Sequence, residues 1–115
     1  MSTRFGRRST AEEVAGDVDL RGRHALVTGA NTGIGYETAR VLARRGAAVT
    51  LACRDMGKAG EARRRILCDD EAAELHLLPL DLADLDSVRC AASEVLGSGR
   101  PIDLLINNAG VMLPD

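Results

Sequence analysis

Thr28-Gly29-Ala30-Asn31-Thr32-Gly33-Ile34-Gly35 is the most informative run in this 115-residue sequence. It follows a short apolar segment, His24 to Thr28, and opens another in which Ile34, Thr38, Val41 and Leu42 recur at helical spacing. Glycines between a strand and a helix suit a diphosphate, which needs bare backbone N–H groups close by and a helix N-terminus aimed at it. Gly29 permits the turn out of the strand. Gly33 removes a side chain where a phosphate would approach, and Gly35 lets the helix pack closely on the sheet. Asn31 and Thr32 add side-chain donors for phosphate oxygens. Glycines also serve ordinary turns, but the strand before and the amphipathic helix after favour binding.

Beyond this run the chain alternates short apolar stretches with amphipathic ones. Arg44 and Arg45 fall in the last turn of the first helix and Gly46 stops it. Ala47 to Cys53 reads as a second strand, apolar along its length apart from Thr50, as a strand covered on both faces should be. Met56, Ala59, Arg63 and Ile66 predict a second helix, with Glu61 and Arg65 placed as an i,i+4 pair. Leu75 to Leu80 predicts a third strand, which Pro79 confines to a sheet edge. Leu85, Val88, Ala91, Ala92, Val95 and Leu96 predict a third helix ended by Gly97-Ser98-Gly99, and Ile102 to Ile106 a fourth strand. This rhythm predicts an α/β fold of Rossmann type, a doubly wound parallel sheet with strands in the order 3-2-1-4. Residues 1–9 read as a loosely held tail. Thr10-Ala11-Glu12-Glu13 reads as a capping box that opens a short helix closed by Gly16. The expected organisation is this tail and helix over 1–21, then the N-terminal half of a dinucleotide-binding domain over 22–115.

The spacing TGxxxGxG, together with Asn107-Asn108-Ala109-Gly110, resembles the short-chain dehydrogenase/reductase family. The run from Val27 to Arg54, the ACRD at Ala52 to Asp55, and Leu80-Asp81-Leu82 look like the branch holding retinol dehydrogenases and the WW-domain oxidoreductase. The leader FGRRSTAEE, Phe5 to Glu13, is similar to members of that branch. The resemblance implies an oxidoreductase that moves a hydride between NADP(H) or NAD(H) and an alcohol or carbonyl substrate. In that branch the substrates are often lipophilic, such as retinoids or steroids.

Cofactor choice turns on the end of the second strand. An acidic residue that holds the adenosine ribose diol lies ~20 residues beyond such glycines, and counting from Gly35 lands on Asp55, an NAD signal. The strand's natural end is Cys53, however, and Arg54 follows it. A guanidinium there binds a 2′-phosphate that a carboxylate would repel, which favours NADP; the other reading has Arg54 solvated and paired with Asp55. The resemblance likewise implies Cys53 in place of an NAD-selecting acid and Arg54 as the NADP-selecting base. It also implies that Asp81 meets the adenine amino group and Leu82 lines the ring. Alternatively, Asp81 begins a turn or caps the helix starting near Asp84. Small Ala109 and Gly110 would let the backbone pass close to the cofactor ribose, and the Asn107 and Asn108 amides can tie strand ends together. An ordinary turn is the competing reading of that string. The candidate cofactor contacts are therefore Gly29, Asn31, Thr32, Gly33, Ile34, Gly35, Arg54, Asp81, Leu82, Asn107, Asn108, Ala109 and Gly110.

The chemistry that the resemblance implies uses a Tyr as acid/base and a Lys four residues later, with a Ser and a further Asn. Tyr36 and Lys58 are the sole residues of their types and cannot form YxxxK. Tyr36 with Arg40 has the spacing but sits in the first turn of the helix that receives the diphosphate. Ser87, Ser93 and Ser98 have no base beside them. No catalytic residue is assigned. The expectation is a truncated form, poorly soluble because the flank of strand four is left open, and inactive with NADP(H) by itself. The alternative function is a non-catalytic nucleotide-binding or regulatory fragment. An extended-type epimerase is disfavoured by the glycine spacing, and a Rossmann methyltransferase by Val27-Thr28 where it would carry an acid.

Composition excludes other classes. A net charge of -2 gives no electrostatic case for nucleic acid or an anionic membrane, and Phe5 and Tyr36 are too few aromatics for base stacking. Ala47 to Cys53 is far shorter than the ~20 apolar residues that span a bilayer. Arg4, Arg7 and Arg8 have no apolar run behind them, so the expected location is cytoplasmic. Cys53, Cys68 and Cys90 lack CxxC spacing and read as small buried apolar residues; His24 and His76 read as structural, and no metal is expected.

Overall fold

Every residue of the two inner strands is buried, as parallel strands with helices on both faces must be. The computed structural model describes residues 19–31 and 33–108. Along them run β1 (His24–Thr28), α1 (Gly33–Arg44), β2 (Ala48–Cys53), α2 (Met56–Asp69), β3 (Glu74–Pro79), α3 (Leu85–Gly97) and β4 (Leu104–Asn107). The four strands form one parallel sheet in the order β3-β2-β1-β4, as the βα rhythm predicts. Pro79 lies on edge strand β3 opposite Cys53, where its missing N–H costs no central ladder bond.

Helices α1 and α2 cover one face. There Leu42 and Ile66 close over Val27, Val49 and Leu51, all fully buried, each contributing about 1.5–3 kcal/mol by its removal from water. Ala39 and Ala59, also fully buried, let the helices sit close to the sheet. On the other face Leu26, Ala52 and Leu78 pack against Ala91 of α3. Asp55 caps α2 and Asp84 caps α3, each carboxylate accepting a backbone N–H of the first turn.

Several local expectations are corrected. β2 starts at Ala48, because the Ala47 N–H turns back to the Leu42 carbonyl (3.1 Å) to close α1. β3 spans Glu74–Pro79 rather than Leu75 to Leu80, although the Leu80 N–H still donates to Cys53 O at 2.9 Å. β4 begins at Leu104, not Ile102: Asp103 takes the His24 N–H on its side chain and donates its own N–H to the His24 carbonyl, each at 2.8 Å. Glu61 pairs with Arg64, and Arg65 instead lies 4.7 Å above the Tyr36 ring. Cys68 and Cys90 are exposed, leaving Cys53 as the buried thiol. Of the apolar stripe on α3 only Ala91 is buried, whereas Leu85 and Leu96 are 70% and 81% exposed. Ile34 likewise faces outward. The tail and the short helix expected over 10–16 lie outside the described residues.

Candidate functional site

The glycine run leaves the sheet at Thr28. The Gly29 N–H donates to Ala52 O at 2.9 Å, one step past the end of the strand, and the chain then turns with φ of 62° at Gly29 and 60° at Gly33. Side chains rarely adopt that backbone region. Ala30 is fully buried, so the loop lies down on the sheet edge. A Cβ added at Gly35 would stand 2.1 Å from the Gly29 carbonyl oxygen and 2.8 Å from its carbon. Gly35 therefore serves close packing, as expected, but what it packs on is the loop itself. At Gly33 the corresponding space is open to 4 Å. The first N–H groups of any helix lack intrahelical partners, so this opening stands where an anion is best received.

A cleft of about 1020 Å³ adjoins the loop at the C-terminal ends of β1, β2 and β3. That is where ligands bind in doubly wound sheets. Its walls are Thr28, Gly29 and Asn31 from the first βα junction, Cys53 to Met56 with Lys58 from the second, and Leu80 to Ala83 from the third. Burial pushes the Cys53 thiol above its ordinary pKa and outweighs the N–H groups of Ala30 and Asn31 turned toward the sulfur. The strand thus ends on a neutral thiol.

Asp55 is engaged: its Oδ1 accepts the Lys58 N–H at 3.1 Å as the cap of α2. Among the described residues Arg54 forms no ion pair with Asp55 or any other acid, and neither does Lys58. Arg54 is thus an exposed cation in the cleft beside a carboxylate held to its own helix, without the Asp55 pairing. Lys58 is the lining residue that the sequence reading missed. Its place four residues after Arg54, in the first turn of a helix, puts both at one mouth.

At the third junction the Asp81 N–H donates to Ser87 Oγ (2.8 Å) and Asp81 Oδ1 accepts the Ala83 N–H (3.0 Å). Asp81 thus starts a turn and Asp84 is the cap; Leu82, 43% exposed, stands in the cleft wall. At the end of β4, Asn107 Oδ1 accepts the Thr28 hydroxyl at 2.9 Å, tying two strand ends as its amide chemistry suggested. Among the described residues the buried Asn108 Nδ2 has no hydrogen-bond partner. Thr32, Ala109 and Gly110 lie outside the described residues. The Tyr36 ring is covered by Arg65, and Arg40 pairs with Glu37, so the Tyr36 and Arg40 spacing builds no site.

A second cleft, about 530 Å³, is lined by His24, Thr50, His76, Glu94 and Arg100 among others. Its polar groups largely answer one another: His24 Nε2 lies 2.7 Å from Thr50 Oγ1, and Glu74 holds both Arg100 and His76. Among the described residues no group of three or more His, Cys, Asp or Glu could hold a metal ion, and no helix is long and apolar enough to cross a membrane.

A glycine loop lying too close to its helix to admit a Cβ at Gly35, beside a cleft at the carboxyl edge of a 3-2-1-4 sheet, fits a dinucleotide. The family model described as short chain dehydrogenase matches residues 23–115. The chain belongs to the short-chain dehydrogenase family. It is 50% identical over 97 residues to retinol dehydrogenase 12 of Bos taurus, covering 84% of this chain and 31% of that relative. Identity with the WW domain-containing oxidoreductase of Gallus gallus is 42% over 103 residues, 90% of this chain and 25% of the relative. Among solved structures, a metagenomic short-chain oxidoreductase in complex with NADP superposes with a TM-score of 0.69 at 36% identity, over 76% of this chain and 38% of that one. The chain thus spans about a third or less of these short-chain dehydrogenase relatives.

Proposed function

We propose that this chain supplies the NADP(H)-binding part of a short-chain oxidoreductase acting on an alcohol or carbonyl substrate. The observation that carries the cofactor choice is the division of labour at the end of β2. Asp55 spends its carboxylate on the Lys58 N–H, and Arg54 stands in the cleft without an acid partner among the described residues. A free guanidinium suits a 2′-phosphate, and a capping carboxylate has only its second oxygen left for a ribose diol. The NADP bound to the metagenomic relative supports the same choice.

Within this reading Gly29, Gly33 and Gly35 keep the loop bare for the diphosphate, with Asn31, Thr32 and Ile34 around it. The second carboxylate oxygen of Asp81 accepts from the adenine amino group, and Leu82 lies along the ring. Asn107, Asn108, Ala109 and Gly110 follow β4 toward the ribose, where the orphaned Asn108 amide finds an acceptor. When bound, NADP(H) supplies or takes the hydride. The chain's own residues bind and orient it, and none is assigned to proton transfer. The alcohol or carbonyl substrate class comes from the oxidoreductases it resembles; lipophilic alcohols such as retinol, in the name of the bovine relative, lead that list.

Titration of NADPH and NADH against wild type and Arg54→Asp tests this. Wild type should prefer NADPH, and the substitution should weaken NADPH about tenfold or more while leaving NADH little changed. Equal affinities in the two proteins would refute the role given to Arg54.

A further inference from the structure

We propose that the open edge of β3 is a docking site for an extended peptide segment in which apolar and acidic residues alternate. Among the described residues β3 pairs with β2 alone, so its other edge is bare. The Leu80 N–H turns inward to Cys53 O at 2.9 Å. Peptide groups alternate in direction along a strand, so His76 and Leu78 also turn theirs to β2, while Leu75 and Leu77 present N–H and C=O outward. Pro79 falls in the outward set and, lacking a donor, marks where such pairing stops.

The second cleft, about 530 Å³, crosses this edge. Arg63 comes from α2 on one face of the sheet, Val95 from α3 on the other, and His76 to Leu78 from the strand between them. It shares no lining residue with the cofactor cleft. Its floor has little left for a ligand, because His24 and Thr50 are bonded to each other and Glu74 holds Arg100 and His76. What remains is the strand backbone and Arg63, half-buried and without an ion pair among the described residues. A strand laid beside β3 sends alternate side chains to opposite faces. Those toward α2 meet Arg63, on a helix that also carries Lys58, Arg64 and Arg65 against Glu61 and Asp69, which favours carboxylates. Those toward α3 meet Leu78 and Val95, which favours apolar groups. The lining carboxylate, Glu94, stands exposed on the α3 rim, where it opposes a second row of acids. Strand addition of this kind takes its affinity from main-chain bonds and its selectivity from the alternating side chains.

The experiment titrates acetyl-Val-Glu-Val-Glu-Val-amide into the isotope-labelled chain, beside a version N-methylated at every residue and one with Lys in place of Glu. The acidic peptide should shift the Leu75 and Leu77 amides and slow their exchange with solvent, leaving Gly29 and Gly35 in place. The N-methylated peptide, which has no donors, should not bind. Arg63→Met, its folding checked by thermal unfolding, should weaken the acidic peptide about tenfold at low salt and less at high salt. Arg63→Glu should turn the preference toward the lysine peptide. Silence of the β3 amides, equal binding of the acidic and lysine peptides, or full binding of the N-methylated one would each overturn the proposal. Shifts along β3 that grow with protein concentration in the absence of peptide would overturn it in favour of a second copy at that edge.

Discussion

The Thr28 hydroxyl donates to Asn107 Oδ1 across 2.9 Å, joining the last residue of β1 to the last residue of β4. The two are 79 positions apart in sequence and opposite one another in the parallel register. The bond fixes where the glycine loop departs relative to where the chain leaves β4. Thr28→Val keeps the β-branched shape and removes the hydroxyl that donates to Asn107 Oδ1. It should cost about 1 kcal/mol in urea unfolding. An unchanged midpoint would mean that the sheet end is held by backbone pairing alone.

Gly35→Ala is the harshest small substitution available. Its methyl would stand 2.1 Å from the Gly29 carbonyl oxygen, and backbone on both sides has little room to give. The expected loss is about 1–3 kcal/mol or more, together with loss of NADPH binding. Gly60→Ala on α2 meets nothing within 4 Å and should be tolerated or slightly stabilising. Equal effects of the two changes would contradict the close approach of α1 to the loop.

Topology was legible in the sequence because β1 and β2 are buried on both faces and read as continuous apolar runs between helical periods. Pro79 marked the edge strand for a backbone reason. What escaped was whatever depends on side-chain direction. Glu61 had two arginines within reach, and the packing of Tyr36 against α2 drew Arg65 away. The start of β4 depended on Asp103 folding back on His24, a contact between distant segments that no local pattern reveals. Lys58 was visible as a residue but not as a neighbour of Arg54, because the capping role of Asp55 had to be known first. Leu85 and Leu96 satisfy helical spacing yet remain exposed, since periodicity identifies a face and not what covers it.

The Arg100 guanidinium, with His76 beside it, holds the Glu74 carboxyl down at about 2. A lowered carboxylate pKa stabilises the fold above the ordinary value and ceases to do so as pH falls through the lowered one. All three groups are largely open to water, so the gain is below about 1 kcal/mol. Glu74→Gln should therefore be slightly less stable than wild type at neutral pH, the difference shrinking from pH 4.5 down and vanishing near about 2. A difference that grew in acid would reverse the assigned sign.

The most direct examination of the site is to add NADPH to isotope-labelled protein and follow every backbone amide by NMR. The shifts should concentrate at Gly29, Asn31, Gly33 and Gly35, extend to Arg54 and Asp81, and leave His24, His76 and Arg100 in place. Shifts gathered around the second cleft, with the glycine loop silent, would contradict the binding of a dinucleotide where β1 gives way to α1.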